Sequence, residues 1–286
     1  MSTLDVRSRG ASMAAIQSHY DVGNGFYALW LDPTLTYSCA LWHGDEDLNG
    51  AQLAKIDWHL SNVGAGPASH ILDIGCGWGG LMRRAVETHG VAHITGLTLS
   101  AAQADWIESL CLPRAVARLQ DWKQQLPAHR YDGIVSIGAF EHFARLELTP
   151  EQKLEAYREF FRACHTSLRP GGRLSLQSIT YESAERRDFS RFFAEEIFPE
   201  SDLPHLHEIL LATRGLFEVE LLRNDRKHYE RTAQSWLSSL RSRREAAERL
   251  VGPAMVQRYQ KYLGLLAVAF HTGTMNLARI SMRRIG

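Results

Sequence analysis

The sequence predicts an α/β fold: a mostly parallel seven-stranded sheet with helices on both faces, a helical N-terminal lid, and a helical insertion late in the chain. Three observations carry this. From His70 onward short apolar runs alternate with helix-patterned segments, and parallel strands need such crossover helices to join them. The stretch ILDIGCGWGGL at 71–81 ties a buried strand to a helix through Gly75, Gly77, Gly79 and Gly80. The 286 residues are 45% hydrophobic, enough for one large core with an elaborated cap. The boundaries read this way are a lid over 1–66 and a core over 67–286, with the capping insertion at about 186–214.

Taken in order, residues 1–18 are polar and short of large apolar groups, which reads as a flexible start or a loose helix. HYDVGNGFYALWLDPTLTYSCALW gathers aromatic side chains around an Asn-Gly and an Asp-Pro turn signal, the composition of a lid over an apolar substrate. Residues 50–63 form a helix ended by GAGP. The core then runs strand ILDIG, helix LMRRAVETHG, strand VAHITGLTLS, helix AAQADWIESL, strand AVARLQ, strand DGIVSIG, helix TPEQKLEAYREFFRACHTSL and, after RPGG, strand RLSLQSIT. The insertion carries Phe189, Phe192, Phe193 and Phe198 near the spacing of one helical face. LFEVELLRNDRKHYERT reads as a late antiparallel pair leaving His228 and Tyr229 near the ligand edge of the sheet. Residues 232–271 read as two helices, and RISMRRIG as a final edge strand whose Arg279, Arg283 and Arg284 form a solvated basic end.

Lys+Arg and Asp+Glu both number 32, so no net field draws nucleic acid. No proline motif of the kind that clamps a flipped base is present. The longest apolar run, 263–270, is far shorter than the roughly 20 residues that span a bilayer, and MSTLDVRSRG shows no signal peptide. The expectation is a cytoplasmic protein with no membrane span and at most peripheral membrane contact. Cys39, Cys76, Cys111 and Cys164 form no C-x-x-C pair and have no histidine at ligand spacing, so no metal is expected.

The glycine turn sets the chemistry. Glycine permits positive φ and close ligand approach, and the following helix turns its N–H groups to a polar ligand. The usual ligands are a dinucleotide or S-adenosylmethionine. A dinucleotide turn spaces its glycines G-x-G-x-x-G, whereas D-x-G-C-G-x-G fits S-adenosylmethionine, with Asp73 orienting the turn and the methionine end over Gly75 and Gly77. The fold is then a Rossmann-like class I methyltransferase. Ligands in such sheets bind at the carboxyl ends of the strands. The second strand ends in Thr98 and Leu99, with Gln103 one helical turn on, where many such enzymes place an acidic residue for the ribose. Asp121 and Trp122 suit the adenine, by hydrogen bond and by ring cover. After the fourth strand, with Ile137 on the cofactor side, come Glu141 and His142. A buried carboxylate beside a cationic sulfonium is held charged, so Glu141 reads as an electrostatic or base residue. Phe26, Tyr27, Trp30, Trp42 and Phe140 supply aromatic faces for a cation developing on carbon in a dry pocket.

Taken together, HYDVGNGFYALWLDPTLTYSCA, AKIDWHL, LDIGCGWGG, GLTLSAAQ, SIGAFEHF, EIFPE and HYERTAQSW resemble the cyclopropane fatty acid and mycolic acid cyclopropane synthases, from about residue 19 to 276. The resemblance implies methyl transfer from S-adenosylmethionine to an alkene carbon, through a carbocation that loses a proton to close a cyclopropane or leave a methyl branch. It implies that Tyr37, Ser38, the glycine turn, Thr98, Leu99, Gln103 and Trp122 hold the cofactor. It also implies a bicarbonate ion as base, held by Cys39, Glu141, Tyr229, a fifth-strand histidine and a backbone carbonyl two residues later. Here Gln177 stands in place of that histidine, with Ile179 at the carbonyl position. Glutamine donates a hydrogen bond but does not titrate near neutral pH. His271 replaces a usual arginine, and Thr274 an aromatic. The substrate is therefore read as an apolar unsaturated small molecule, an acyl lipid or a carrier-bound chain. A small-molecule N- or C-methyltransferase of specialised metabolism is the alternative. The aromatic surface of the cap fits either a substrate mouth or a homodimer face.

Overall fold

The computed structural model describes Gly10 and residues 22–124, 126–183 and 201–286. The chain start, the EIFPE stretch and Phe189, Phe192, Phe193 and Phe198 lie outside the described residues. Among the described residues, α1 (Asn24–Ala28) and α2 (Leu48–Asn62) precede the sheet. The sheet is then built by β1 (His70–Ile74), α3 (Gly80–Glu87), β2 (His93–Thr98), α4 (Ala101–Ser109), β3 (Ala115–Leu119), β4 (Tyr131–Ile137), α5 (Pro150–Ser167) and β5 (Leu168–Tyr181). The last third contributes α6 (Leu206–Thr213), β6 (Phe217–Asn224), α7 (Arg226–Ser242), α8 (Arg244–Val251), α9 (Pro253–Thr272) and β7 (Met275–Arg284).

Seven strands lie in the order β3-β2-β1-β4-β5-β7-β6. They are parallel through β5, and β7 is antiparallel to both β5 and β6. This is the expected mostly parallel α/β sheet. Local chemistry starts the helices where the patterns place them. Asp47 accepts from the Gly50 N–H at 2.8 Å to cap α2, and Ser100 caps α4. Thr149 and Gln152 form a reciprocal capping box on α5 with proline in the first turn. In α2 the buried positions are 51, 52, 55, 56, 59 and 60, a helical stripe that turns Gln52, Lys55 and His59 inward with the apolar residues.

The two faces of the sheet carry different cores. Phe140, Tyr157, Phe160 and Phe161 join the end of β4 to α5, with Phe140 and Tyr157 stacked at 4.6 Å. An aromatic cluster of Phe26, Tyr27, Trp30, Trp236 and Tyr259 ties α1 to α7 and α9. Between them the strand order reverses at β1 and β4, which opens a crevice at the carboxyl ends of those strands.

The structure corrects three readings of the last third. β7 is an interior strand, paired on both sides, and β6 is the edge. Arg279, midway along β7, is therefore fully buried rather than solvated, while Arg283 at the strand end stays exposed on Glu218 and Glu220. LFEVELLRNDRKHYERT is not an antiparallel pair: β6 stops at Asn224, whose side chain accepts from the Arg226 N–H, and His228 and Tyr229 fall in the first turn of α7. The tail holds three helices, because Arg243 and then Gly252, at φ 79° before Pro253, break the expected two. No helix among the described residues is long and apolar enough to cross a membrane.

Candidate active site

At the end of β1 the backbone turns sharply. Gly75 has φ 85°, and a Cβ there would lie 2.6 Å from the Ala139 Cβ, so no other residue fits. Gly77 has φ 52°, and a Cβ there would meet nothing within 4 Å: this part of the turn faces open space. That space is one cavity. Asp73, Gly75 and Gly77 line it from the turn, Thr98, Leu99 and Gln103 from the end of β2, Asp121 and Trp122 from beyond β3, and Ile137 from the end of β4. Tyr37 and Ser38 close it from the segment before α2. Every residue that the sequence assigned to the cofactor lines this cavity.

Several of these side chains are braced. Thr98 Oγ1 donates to Gln103 Oε1 at 2.7 Å and accepts from the Ser100 N–H at 3.1 Å. Trp122 packs on Phe143 and Phe160, with centroids at 4.9 and 5.4 Å. His142 also lines the cavity and meets Ser201 Oγ at 2.8 Å through Nδ1; burial pushes its imidazole down to about 4, so it is neutral near pH 7.

The other predicted catalytic residues form a buried wall of their own. Cys39 is fully buried, and burial pushes its thiol up to about 11, so it is a neutral group that donates weakly to the Ala40 carbonyl. Glu141 Oε1 accepts from the Ile179 N–H at 2.7 Å, while Oε2 is buried with no hydrogen-bond partner among the described residues. Desolvation lifts this carboxyl to about 7. The Ile179 carbonyl accepts from Ser178 Oγ. Tyr229 stacks on Phe270 at 4.3 Å. Gln177 Oε1 accepts from Arg279 Nε at 2.8 Å and lies 3.4 Å from His59 Nε2.

Two functional-looking cations escaped the sequence reading. Arg279 ion-pairs with Asp225, bonds Gln177, and donates from Nη2 to the Cys39 and Ala40 carbonyls at 3.0 Å each. It thereby fastens the segment behind Tyr37 and Ser38 to β7. Thr232 and His228 of α7 fasten the same segment through the Ala40 and Trp42 N–H groups. Lys55 is 1% exposed, lines the cavity, and donates to Ser38 Oγ at 2.8 Å. The signal for Lys55 was its place with Gln52 and His59 on the inner stripe of α2; for Arg279 it was a charge in mid-strand.

A family model described as mycolic acid cyclopropane synthetase matches residues 7–280. Cyclopropane mycolic acid synthase 3 of Mycobacterium tuberculosis is 33% identical over 290 residues, covering 94% of this chain and 96% of that protein. Among solved structures, the cyclopropane synthase MmaA2 of Mycobacterium tuberculosis superposes with a TM-score of 0.85 at 32% identity, over 96% of this chain and 99% of that one. The mycolic acid cyclopropane synthase CmaA1, complexed with SAH and CTAB, does so with 0.85 at 34% identity and the same coverage.

Proposed function

Because the chain belongs to the mycolic acid cyclopropane synthetase family, whose members are S-adenosylmethionine-dependent methyltransferases, we propose that it transfers a methyl group to an alkene carbon of an apolar unsaturated substrate. The observation that carries this reading is Glu141: a buried carboxyl with one oxygen unpartnered among the described residues, set in the turn after β4 between the core ring of Phe140 and the cavity-lining His142.

The cavity fits the cofactor. The Gly77 cradle leaves room that a side chain would fill, Trp122 offers a ring face for adenine, and Tyr37, Ser38, Asp73, Thr98, Leu99, Gln103, Asp121 and Ile137 supply polar and backbone groups around it. S-adenosylmethionine, when bound, supplies an electrophilic methyl group on a sulfonium. Within the N-terminal lid read over 1–66, the rings of Phe26, Tyr27 and Trp30 are buried against α7 and α9 and keep water from a reacting carbon. The ring of Tyr37, which lines the cavity and packs on Tyr27 and Trp30, and the carboxylate of Glu141 stabilise positive charge as it develops there. Glu141 Oε2 then accepts the proton that leaves the methylated skeleton. A carboxyl held at about 7 is half ionised at neutral pH and takes a proton readily.

A bicarbonate ion fits this wall less well. Gln177 cannot titrate, so it offers the anion only its carboxamide N–H groups while its oxygen accepts from Arg279, and the Ile179 carbonyl already accepts one bond from Ser178. No step is assigned to the anion.

The substrate is an acyl lipid, a carrier-bound chain or a smaller unsaturated metabolite. Gln177 favours one second reading, methyl transfer to an amine, which needs no strong base on the protein. Incubation with methyl-labelled S-adenosylmethionine, a lipid extract and a small-metabolite extract, followed by mass spectrometry, separates them. Gain of one CH2 unit in acyl chains supports the first reading, and label confined to amines overturns it.

A further inference from the structure

Lys55 is a buried cation that the proposed chemistry leaves unused. Its ammonium has three N–H groups, and Ser38 Oγ is the acceptor it meets among the described residues. Asp73, 2% exposed, lines the same cavity from the end of β1, yet no ion pair joins the two. Charge is costly to keep in such a place without a partner. Burial accordingly pulls the Lys55 ammonium down to about 7 and lifts the Asp73 carboxyl to about 7.

The other charged and titratable groups facing Lys55 are Asp32 and Cys39 before α2, His59 one turn further along α2, whose imidazole burial pushes well down and keeps neutral near pH 7, and Arg279 on β7. Asp32 is occupied by the N–H groups of Thr34 and Thr36, Cys39 is a neutral thiol, and Arg279 is tied to Asp225. What remains is one cation and one carboxyl that face a single cavity and do not meet. Their complement is a ligand carrying a carboxylate and an ammonium a few bonds apart, which is an α-amino acid.

We propose that Lys55, steadied by Ser38, binds the carboxylate of the amino-acid end of S-adenosylmethionine, with Asp73 on the ammonium side. This rests on the cofactor reading above. It makes α2 part of the cofactor site, and it makes binding proton-linked: Lys55 takes up a proton above pH 7 when the carboxylate arrives, and Asp73 gives one up below pH 7 when the ammonium does.

The test is titration calorimetry of the whole protein with two ligands, S-adenosylhomocysteine and S-adenosyl-3-thiopropylamine, which keeps the ammonium and lacks the carboxylate. The wild-type protein should prefer S-adenosylhomocysteine by about 10- to 100-fold, the usual range for a charge-assisted hydrogen bond. Lys55→Met should bind the two within about twofold of each other. In buffers of different ionisation enthalpy at pH 8, wild type should take up about one proton per S-adenosylhomocysteine bound, and Lys55→Met none. An unchanged preference in Lys55→Met, equal weakening of both ligands, or no proton uptake by wild type at pH 8 overturns the assignment. Wild-type protein that binds neither ligand overturns the cofactor reading itself.

Discussion

The wall around Arg279 and the crevice around Lys55 each bury a cation to within 1% of full exclusion, but they satisfy it differently. Arg279 spends its donors on Asp225, Gln177 and two carbonyls, all within the protein. Lys55 meets Ser38 and Asp73 accepts from no described neighbour; Glu141, although set in the wall, keeps one oxygen without a partner among the described residues and so belongs with the open groups. A closed network of buried polar groups holds a fold in one arrangement, whereas an open one costs stability that only a ligand recovers. The comparison makes a rule for this molecule. Removing a group from the closed wall should cost stability, and removing one from the open crevice should cost binding or turnover while leaving the fold as stable or more so.

The largest expected effect is on turnover. Glu141→Gln keeps the size and the acceptor for the Ile179 N–H but cannot take a proton, so methyl transfer should fall by about 100- to 1,000-fold. Binding of S-adenosylhomocysteine should be unchanged. In the wild type the rate should rise with pH through about 7 as the carboxyl ionises, and a flat profile between pH 6 and 8 would remove Glu141 as the base.

Next comes the closed wall. Arg279→Met leaves Asp225 buried without its main partner, which should cost about 3 kcal/mol in chemical denaturation, the low end for a broken buried pair. The low end applies because Arg223 still reaches Asp225 at 3.0 Å. A loss under about 1 kcal/mol would mean the wall is not what fastens Cys39 and Ala40.

The same rule sharpens into a pH dependence. The Glu141 carboxyl is raised from 4.5 to about 7 on folding, so the folded state binds the extra proton between those values. Its contribution is full below 4.5 and is lost as pH rises through 7, at most about 3 kcal/mol in all. Glu141→Gln does not titrate. Its stability relative to wild type should therefore increase from pH 5 to pH 8 in paired denaturation curves, the opposite sign to Arg279→Met.

Much of the crevice was legible because its residues sit at strand ends, where backbone geometry alone brings them together. The glycine turn, Thr98, Gln103 and Trp122 needed only the order of strands to converge. Cys39, Glu141 and Gln177 were legible by resemblance. The wall was harder to read, because its key residue depends on which strand lies beside which. RISMRRIG reads the same at an edge as in the interior, and only the placement of β7 between β5 and β6 turns Arg279 from a solvated arginine into a buried one. His228 and Tyr229 were misplaced for a similar reason: Asn224 and Asp225 end a strand and start a helix within two residues. Lys55 was hidden in plain view, since a helical stripe of Gln52, Lys55 and His59 looks solvated until the sheet covers it.

The smallest effect tests where the closed wall ends. Beyond Ala40 the segment continues to Trp42, whose indole N–H donates to Thr232 at 3.1 Å. The Arg231 guanidinium lies 4.0 Å over the Trp42 ring and also donates to the Gly44 carbonyl. This clamp sits at the protein surface, where water competes for the cation, so Arg231→Met should cost only about 0.5–1 kcal/mol, or roughly 1–3 °C in Tm. Neither the affinity for S-adenosylhomocysteine nor the pH profile should move. A loss as large as that of Arg279→Met would extend the closed wall to the lid's outer rim, and a loss of cofactor affinity would show that the rim sets the crevice geometry.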